Sequence, residues 1–509
     1  MAQGAACKQG KAEDASWEVA VMRDVLPSGN PARAQYRIDR FYGLDTSTAD
    51  TGLLKGFSPF MLNCSTDDGT LKSAPGLITL RLPYYEDTDG EVVLPLLSKI
   101  ISLGYFTPQT GSTVDRYLMA VSDAGKLYML KINTPLRTWG SIFVSGYNYS
   151  LLKPCMAQFR QGDTDWLLVF SKYEKAVRVE RDGAAYLLSA DAPKAGSVCV
   201  HYERVFACDI ANEPYIVRFS APMDCTVWNS TMGSGYIIIL SDFGKLERVI
   251  SFYDAVYVFH EFGISRISAY ARETEFAVSK IWRSDSQIIP STVAICGDRV
   301  LFAARSGLFE FNGASVRKIC PNLERIWAYI HDYDKAQGYT YDGKYILMCV
   351  SDLAGGYGGD PNTLITYNLD KGNVDISCGF AASAALALNY PGFKGFLLAS
   401  GEYGDIYSYS GQIGNSIWTG PLTDFGMPDI VKRITDVYLV ASGSGKITVN
   451  VTADGAEVEK SAVLTPKTRV HRMDLSLTGR MVSLGIKKPD SEPFCVQAIH
   501  ILMDYMKDG

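Results

Sequence analysis

The feature that most constrains the fold is a hairpin pattern that returns at a nearly constant spacing. A short apolar run, a turn that contains glycine and a second apolar run occur at residues 117–130, 256–267, 300–311 and 396–409. The turn glycines are 138, 44 and 97 residues apart, close to three, one and two multiples of about 46. Weaker copies at residues 166–179, 198–219 and 345–367 fill the gaps, so the sequence predicts seven units.

A period of this length, with about four short strands in each unit, is typical of a β-propeller. We therefore predict an all-β fold whose main part is a propeller of about seven blades, with a range of six to eight. An array of β-sandwiches is the alternative, because evenly spaced strands also suit sandwiches. Composition agrees with either fold: the 30 Tyr and 22 Phe favour strands, and the 46 Gly favour tight turns.

Two flanking segments lie outside the repeat. Residues 1–80 predict an irregular N-terminal arm with entry strands, which could wrap the body or a neighbouring subunit. The propeller is predicted over residues 81–429. Residues 430–509 predict a small C-terminal β-sandwich-like domain, because apolar and polar residues alternate cleanly there. The last strand of this segment could instead close the propeller ring, and the sequence leaves both possibilities open.

Charge and cysteine content restrict the class of protein. A net charge of −6, from 49 basic and 55 acidic residues, argues against an electrostatic grip on nucleic acid. The eleven cysteines have no C-x-x-C spacing, which predicts reduced core thiols rather than zinc ligands. No secretory signal opens the chain, and no apolar run reaches the roughly 18 residues of a membrane helix. We expect a soluble protein with no membrane segment, assembled in a cytoplasm.

Patterns that would indicate a catalytic or metal site are weak. The histidines show no metal-ligand spacing: His201, His260, His331, His471 and His500. Residues 232–235 and 442–445 come near a nucleophile elbow but predict hairpin turns, because no strand-to-helix context surrounds them. Residues 355–360 are glycine-rich and predict a blade loop, and residues 86–90 begin like a calcium loop that is then not completed. We expect no enzymatic activity, no catalytic, cofactor-binding or metal residue, and no cofactor.

Aromatic residues at alternating hairpin positions, as in residues 406–409, suit either a protein interface or packing between blades. Paired carboxylates for glycoside cleavage stay open, because only their separation in space would identify them.

Several short motifs resemble those of one protein family. Residues 41–45 (FYGLD), 56–63 (GFSPFMLN) and 67–72 (DDGTLK), ending in Pro75 and Gly76, resemble the opening of tailed-bacteriophage tail hub, nozzle and packaged-DNA stabilisation proteins, where such a line precedes a β-propeller. Residues 262–267, 291–293, 297–302 and 307–313 resemble the middle of these proteins, and residues 469–505 resemble their closing strands. Where the family often has Arg-Pro-Gly, this chain has Ala74 before Pro75, so no role of that arginine carries over.

The resemblance implies a structural virion protein in the neck or tail of a tailed phage. It implies assembly into a ring, hexameric by resemblance, that contacts other tail or neck proteins, retains packaged DNA and conducts it during ejection. An acidic chain suits a passage that DNA must leave, because it repels phosphates. The alternative is a receptor- or glycan-binding propeller at the tail tip, or one that cleaves glycans at the mouth of its channel.

Overall fold

A computed structural model of the protein describes residues 33–82, 91–92, 96, 98–132, 139–142, 153–269, 272–353, 355, 359–390 and 393–506. Strands dominate this part of the chain, as predicted. Its one α-helix is the single turn Glu324–Trp327. Short 3₁₀ turns connect strands at Asp50–Gly52, Glu273–Glu275, Pro290–Thr292, Pro321–Leu323 and Tyr333–Lys335. No helix of the described residues is long and apolar enough to cross a membrane.

Seven antiparallel sheets follow one another along the chain and form the blades of a β-propeller. Blades one to three have strands Ile100–Phe106, Tyr117–Ser122, Leu127–Lys131 and Gly140–Ile142; Cys155–Gln161, Thr164–Phe170, Val177–Val179 and Ala185–Leu187; and Ala195–His201, Arg204–Ile210, Ile216–Phe219 and Gly235–Ile238. Blades four and five have strands Leu246–Phe252, Ala255–His260, Gly263–Ser268 and Ala277–Arg283; and Ala294–Cys296, Arg299–Ala304, Gly307–Phe311 and Val316–Ile319.

Blades six and seven depart from the simple order. Blade six has strands Gln337–Tyr341, Lys344–Ser351, Thr363–Asn368 and Val374–Cys378, with Ile330–His331 also paired to its second strand. Blade seven takes Ala382–Tyr390, Phe393–Ser400 and Ile406–Gln412 from its own stretch of chain, and its outermost strand is Pro75–Thr79. A strand that precedes blade one thus completes the last blade, which closes the ring by backbone hydrogen bonds.

The second and third strands of the blades are the ones that the repeat revealed. Second strands such as Tyr117–Ser122 and Ala255–His260 are buried along their whole length, because blades pack against both of their faces. Large rings fill the space between blades four and five, where Phe259 meets Phe302 edge-to-face at a centroid distance of 5.3 Å. The seven predicted hairpins all correspond to blades, and the seven-bladed, all-β prediction is confirmed.

The C-terminal segment forms a β-sandwich, but together with N-terminal strands. One sheet has the order Arg469–Gly479, Val431–Gly443, Phe494–Met506, Leu71–Ser73, Cys64–Ser65, with Arg33–Ile38 also paired to Phe494–Met506. The second has the order Phe60–Leu62, Ser416–Thr419, Val482–Lys488, Lys446–Ala453, Ala456–Val463. Small strand pairs outside both sheets are Gly43–Leu44 with Phe57–Ser58, Arg81–Leu82 with Glu91–Val92, and Gln109–Thr110 with Thr113–Val114.

These pairings correct the predicted boundaries at residues 80 and 430. Over residues 33–79 the N-terminal segment supplies strands to both the sandwich and blade seven of the same chain. The sandwich also begins before residue 430, at Ser416. The strand Phe494–Met506 belongs to the sandwich, so it does not close the ring. The N-terminal strands escaped the sequence pattern because they are short and their pairing partners are hundreds of residues away.

Sandwich and propeller share one hydrophobic core. The cluster that fills the sandwich, with Val437 and Trp418, continues through Phe41 into blade six, where it includes Leu347 and Ile376. Phe41 and Trp418 meet edge-to-face with ring centroids 5.3 Å apart. Burial of apolar area across this boundary stabilises the two units as one body.

Candidate functional site

The histidines are spread over several sheets, and the two that are buried, His201 and His260, serve local packing. His201 is buried and shares a 2.9 Å hydrogen bond with Ser251 of the next blade, and buried His260 shares one of 2.8 Å with Ser265. Burial lowers the pKa of both imidazoles, which favours their neutral form at neutral pH. His331 lies in blade six, whereas His471 and His500 lie in one sheet of the sandwich, on the two strands that flank Val431–Gly443. No group of three potential metal ligands occurs among the described residues.

The glycine-rich stretches are connections between strands. Residues 443–445 turn the chain between Val431–Gly443 and Lys446–Ala453, and residues 232–234 lead into the outer strand of blade three. The described part of residues 355–360 lies in the loop between the second and third strands of blade six, where Asp360 pairs with Lys99 at 2.8 Å. The calcium-like stretch at residues 86–90 lies outside the described residues.

Glu247, on the first strand of blade four, is an acid with a strongly raised pKa. Burial, together with the charges of Glu261 and Asp209, raises its pKa to about 7. Asp209 is ion-paired with Lys172, and Glu261 with Lys245 at 3.4 Å. The carboxyl of Glu247 is therefore partly protonated at neutral pH, inside a network of ion pairs rather than at an apolar cleft.

The motif residues of the N-terminal segment build a joint between three units: the sandwich, blade six and blade seven. Asn63 is buried and left-handed, with φ at 56°, a conformation that Asn tolerates better than most residues. Its side-chain oxygen accepts a 2.8 Å hydrogen bond from the backbone N–H of Cys378, at the end of blade six. Its side-chain nitrogen donates to the carbonyl of Gly414 at 3.0 Å, just before the sandwich strand that begins at Ser416.

A buried carboxyl strengthens this joint. Asp375, on the outer strand of blade six, accepts hydrogen bonds from the Ser65 hydroxyl at 3.1 Å and from the Thr66 backbone N–H and hydroxyl at 3.2 and 2.9 Å. Burial and the nearby charge of Asp67 raise the pKa of Asp375 to about 6. Burial would also raise the pKa of Asp67, but hydrogen bonds from Lys344 and Asn368 hold it below its usual value.

Three glycines of the motif are required by close backbone approach. Gly43 and Gly56 have φ values of +90° and +87°, and a Cβ on them would lie 2.8 Å from the Val374 carbonyl oxygen and 2.2 Å from the Arg40 carbonyl oxygen. A Cβ on Gly76 would lie 2.2 Å from the carbonyl oxygen of Gln412, where the closing strand meets blade seven. The residues that carry the family resemblance are thus architectural.

The outer strand of blade three presents an uncharged apolar edge. Tyr236 and Ile238 alternate outward along it, and Leu240 follows two residues after the strand ends; their exposed fractions are 54%, 55% and 76%. The strand pairs on one side with Ile216–Phe219, and the described chain supplies no strand on the other. We call these three side chains and the unpaired backbone beside them the blade-three edge.

The outer strands of blades four and five carry charged residues at the same position. The outer strand of blade four carries Lys280 and Arg283, both ion-paired with Asp242 at 2.8 and 3.0 Å. The outer strand of blade five carries Arg317 and Lys318. Lysine and arginine on edge strands oppose strand addition, and the outer strand of blade three carries neither, as is also true of the outer strands of blades one, two, six and seven.

Sequence reasoning missed both the blade-three edge and the partners of Asn63. Residues 235–240 carry no charge, which is visible in the sequence. Which of these residues are exposed and which are partly buried is visible only in the structure. Aromatic residues at the hairpin positions were expected at an interface or between blades, and the structure shows the packing role for some of them. Tyr409, for example, is packed on Phe396 at 6.0 Å and donates to the Ser377 hydroxyl, and it serves blade packing.

No protein-family model and no curated protein matches the chain. Similar solved structures are β-propeller proteins. They include BamB from Moraxella catarrhalis (11% identity, TM-score 0.37, 74% of this chain and 98% of that one) and YCF48 from Cyanidioschyzon merolae (10%, 0.35, 62% and 96%). A third is the extracellular domain of the hybrid two component system BT4673 from B. thetaiotaomicron (10% identity, TM-score 0.40). The match covers 76% of this chain and 47% of that one, so this chain spans about half the length of that domain. The likeness concerns the fold alone.

Proposed function

We propose that this chain is a structural protein of a tailed-bacteriophage virion that assembles with copies of itself into a ring in the neck or tail. The ring retains packaged DNA and conducts it during ejection, in contact with other tail or neck proteins. The observation that carries the proposal is the N-terminal resemblance, whose motif residues build the joint around Asn63. These motif residues hold the sandwich and the blades together, which suits a protein with a structural task.

The blade-three edge supports self-assembly. An unpaired strand edge is satisfied by another extended strand, and alternating apolar side chains beside it bury area when a neighbour adds there. We propose that a second copy of the chain covers this edge. The net charge of −6 suits a conduit, since an acidic subunit does not hold DNA phosphates tightly.

The joint supports the proposal in a second way. A subunit that bears pressure from packaged DNA must resist separation of its parts, and here one core and one set of hydrogen bonds join the sandwich to blades six and seven. Separation would break the closing strand Pro75–Thr79 and expose apolar area at once.

The decisive experiment locates the chain in particles. The phage that encodes it would be purified on a density gradient, and the chain identified by mass spectrometry of DNA-filled particles and by cryo-electron microscopy of their tails. We expect a ring of copies at the neck or tail, and particles without the chain that package DNA but lose it. Absence of the chain from filled particles would refute the proposal. Finding it as a peripheral tail-tip protein would favour receptor binding.

A further inference from the structure

Residues 17–21, which precede the described part of the chain, have a pattern that predicts a strand. Trp17, Val19 and Val21 recur at every second position. Aromatic and β-branched residues with this period are typical of a strand with one apolar face. Residues 27–32 contain two prolines and a glycine, which is typical of a connection between elements. A strand of this kind needs a sheet edge, because its backbone N–H and C=O groups require partners.

This run joins the sandwich at the end that is far from the propeller. On one sandwich strand, Leu71, from the N-terminal motif next to the joint, pairs with Val496, and Arg33 pairs with Asp504. These two pairs are eight residues apart. That separation corresponds to about 26 Å along the strand. The connecting residues 27–32 extend by at most about 25 Å.

Blade three of the same chain is out of reach of the run. The joint connects the sandwich to blades six and seven, and blade three is three blades from each of them around the ring. Neighbouring sheets pack about 10 Å apart and their outer strands lie farther apart, so this path exceeds about 30 Å. Together with the length of the sandwich strand, the path is longer than the connection can span. Blade three of another copy is free of this limit.

The blade-three edge matches the run in period and in charge. Tyr236, Ile238 and Leu240 are exposed at every second position, and the three apolar residues of the run have the same spacing. When an extended strand adds to an edge, side chains on one face of both strands stand side by side, and pairs of aromatic and β-branched residues stabilise such contacts. Residues 235–240 carry no charge that would oppose the addition.

The other outer strands suit the run less well. Those of blades four and five carry lysine and arginine. Those of blades one and two are three residues long, too short for three alternating side chains. The outer strand of blade six is buried, and that of blade seven begins with proline, which cannot donate to a ladder. Blade three is therefore the best match among the described outer strands.

We propose that residues 17–21 of one copy add as a further strand to the blade-three edge of the next copy. This inference rests on the self-assembly in the proposed function and names the segment that covers the edge. The sandwich, which presents the run, and blade three, which receives it, lie on opposite sides of the propeller. Each copy therefore donates on one side and accepts on the other, a head-to-tail contact of the kind that generates rings.

The test replaces Trp17 of the full chain by the photoreactive amino acid p-benzoylphenylalanine. After irradiation, a denaturing gel separates products of twice the chain mass, which join two copies, from products of unchanged mass. Mass spectrometry of the digested product identifies the attached residues. We expect doubled products in which position 17 is joined to residues 235–240. Crosslinks within one chain, crosslinks to another part of the neighbouring copy, or no crosslink would each overturn the inference.

A charged variant measures what the contact contributes to assembly. Val19→Lys, in the full chain, should raise the concentration at which half of the chains are assembled at least tenfold, because it puts a charge on the apolar face of the run. Ser28→Lys adds the same charge in the connecting residues and is the matched control, which should assemble as the unmodified chain does.

The outcomes separate this inference from the proposed ring. Undiminished assembly of Val19→Lys, or equal loss in both variants, would refute the role of the run and leave the ring itself standing. An unmodified chain that stays a single subunit at every concentration would refute the self-assembly, and this inference with it.

Discussion

The backbone N–H of Cys378 donates to the side-chain oxygen of Asn63 across 315 positions of sequence, at 2.8 Å. The same amide donates to Gly414, so one buried residue ties blade six to the chain that enters the sandwich. The backbone N–H of Asn63 also donates to Ile376, at 2.8 Å. The side-chain contacts to blade six and to the chain that enters the sandwich therefore both come from Asn63, whose backbone is in the left-handed conformation.

Asn63→Ala should weaken this joint strongly. It leaves the Cys378 N–H and the Gly414 carbonyl without their partner in a buried setting, where an unsatisfied group costs about 1–3 kcal/mol. We expect the free energy of unfolding to fall by about 2–4 kcal/mol, measured by denaturant titration. Gln497→Ala, at an exposed position, is the control and should change it by less than about 0.5 kcal/mol. An equal effect of the two substitutions would contradict the role of Asn63.

Closure of the propeller depends on Gly76. A Cβ there would lie 2.2 Å from the carbonyl oxygen of Gln412, so Gly76→Ala must displace the closing strand from blade seven. We expect a loss of about 1–3 kcal/mol and faster proteolysis of the N-terminal segment. Gly395→Ala, in the second strand of the same blade, is the matched control, because nothing lies within 4 Å of its added Cβ. Equal protease sensitivity of both variants would show that closure does not need this glycine.

The sequence predicted the propeller because the second and third strands of each blade are continuous apolar runs around a turn. Residues 256–267 show this pattern clearly, and blade four has its hairpin there. The closing strand Pro75–Thr79 has no such signal: it begins with proline, contains glycine and finds its partner more than 300 residues later. Local pattern cannot specify a pairing that only the closed ring creates.

The candidate site also has parts that the sequence predicts and parts that only the structure shows. The motif around Asn63 was visible as a resemblance, but its hydrogen bonds to Cys378 and Gly414 depend on three-dimensional placement. Isolated histidines could be assigned to packing from sequence, since no spacing among them suits a metal.

Asp375 should make the joint sensitive to pH in the direction opposite to most carboxyls. Its pKa is raised from 3.8 to about 6 by burial and by Asp67, so the folded state holds its proton more tightly than the unfolded state does. The stability that this group contributes is present below pH 3.8 and is lost as pH rises through about 6. The loss amounts to at most about 3 kcal/mol.

Asp375→Asn removes this titration. We expect the free energy of unfolding of the variant, relative to the unmodified protein, to rise by about 1–3 kcal/mol between pH 4 and pH 7. Asp67 adds little to this change, because the stability from its lowered pKa is gained as pH rises toward 3.8 and is already present above that pH. A difference that stays constant over this range would show that Asp375 does not titrate there.

A charge on the blade-three edge should block assembly without harming the subunit. Ile238 is exposed to 55% on the outer strand of blade three. Ile238→Lys therefore puts a charge on this edge, of the kind that the outer strand of blade four already carries, and the lysine side chain stays in solvent. We expect the mass in solution, measured by light scattering after size exclusion, to fall from a ring to the single subunit, with thermal unfolding of that subunit changed by less than about 0.5 kcal/mol. Val278→Lys, on the outer strand of blade four beside Lys280, is the matched control and should leave the ring intact. If Ile238→Lys still forms rings as the unmodified chain does, another surface carries the assembly.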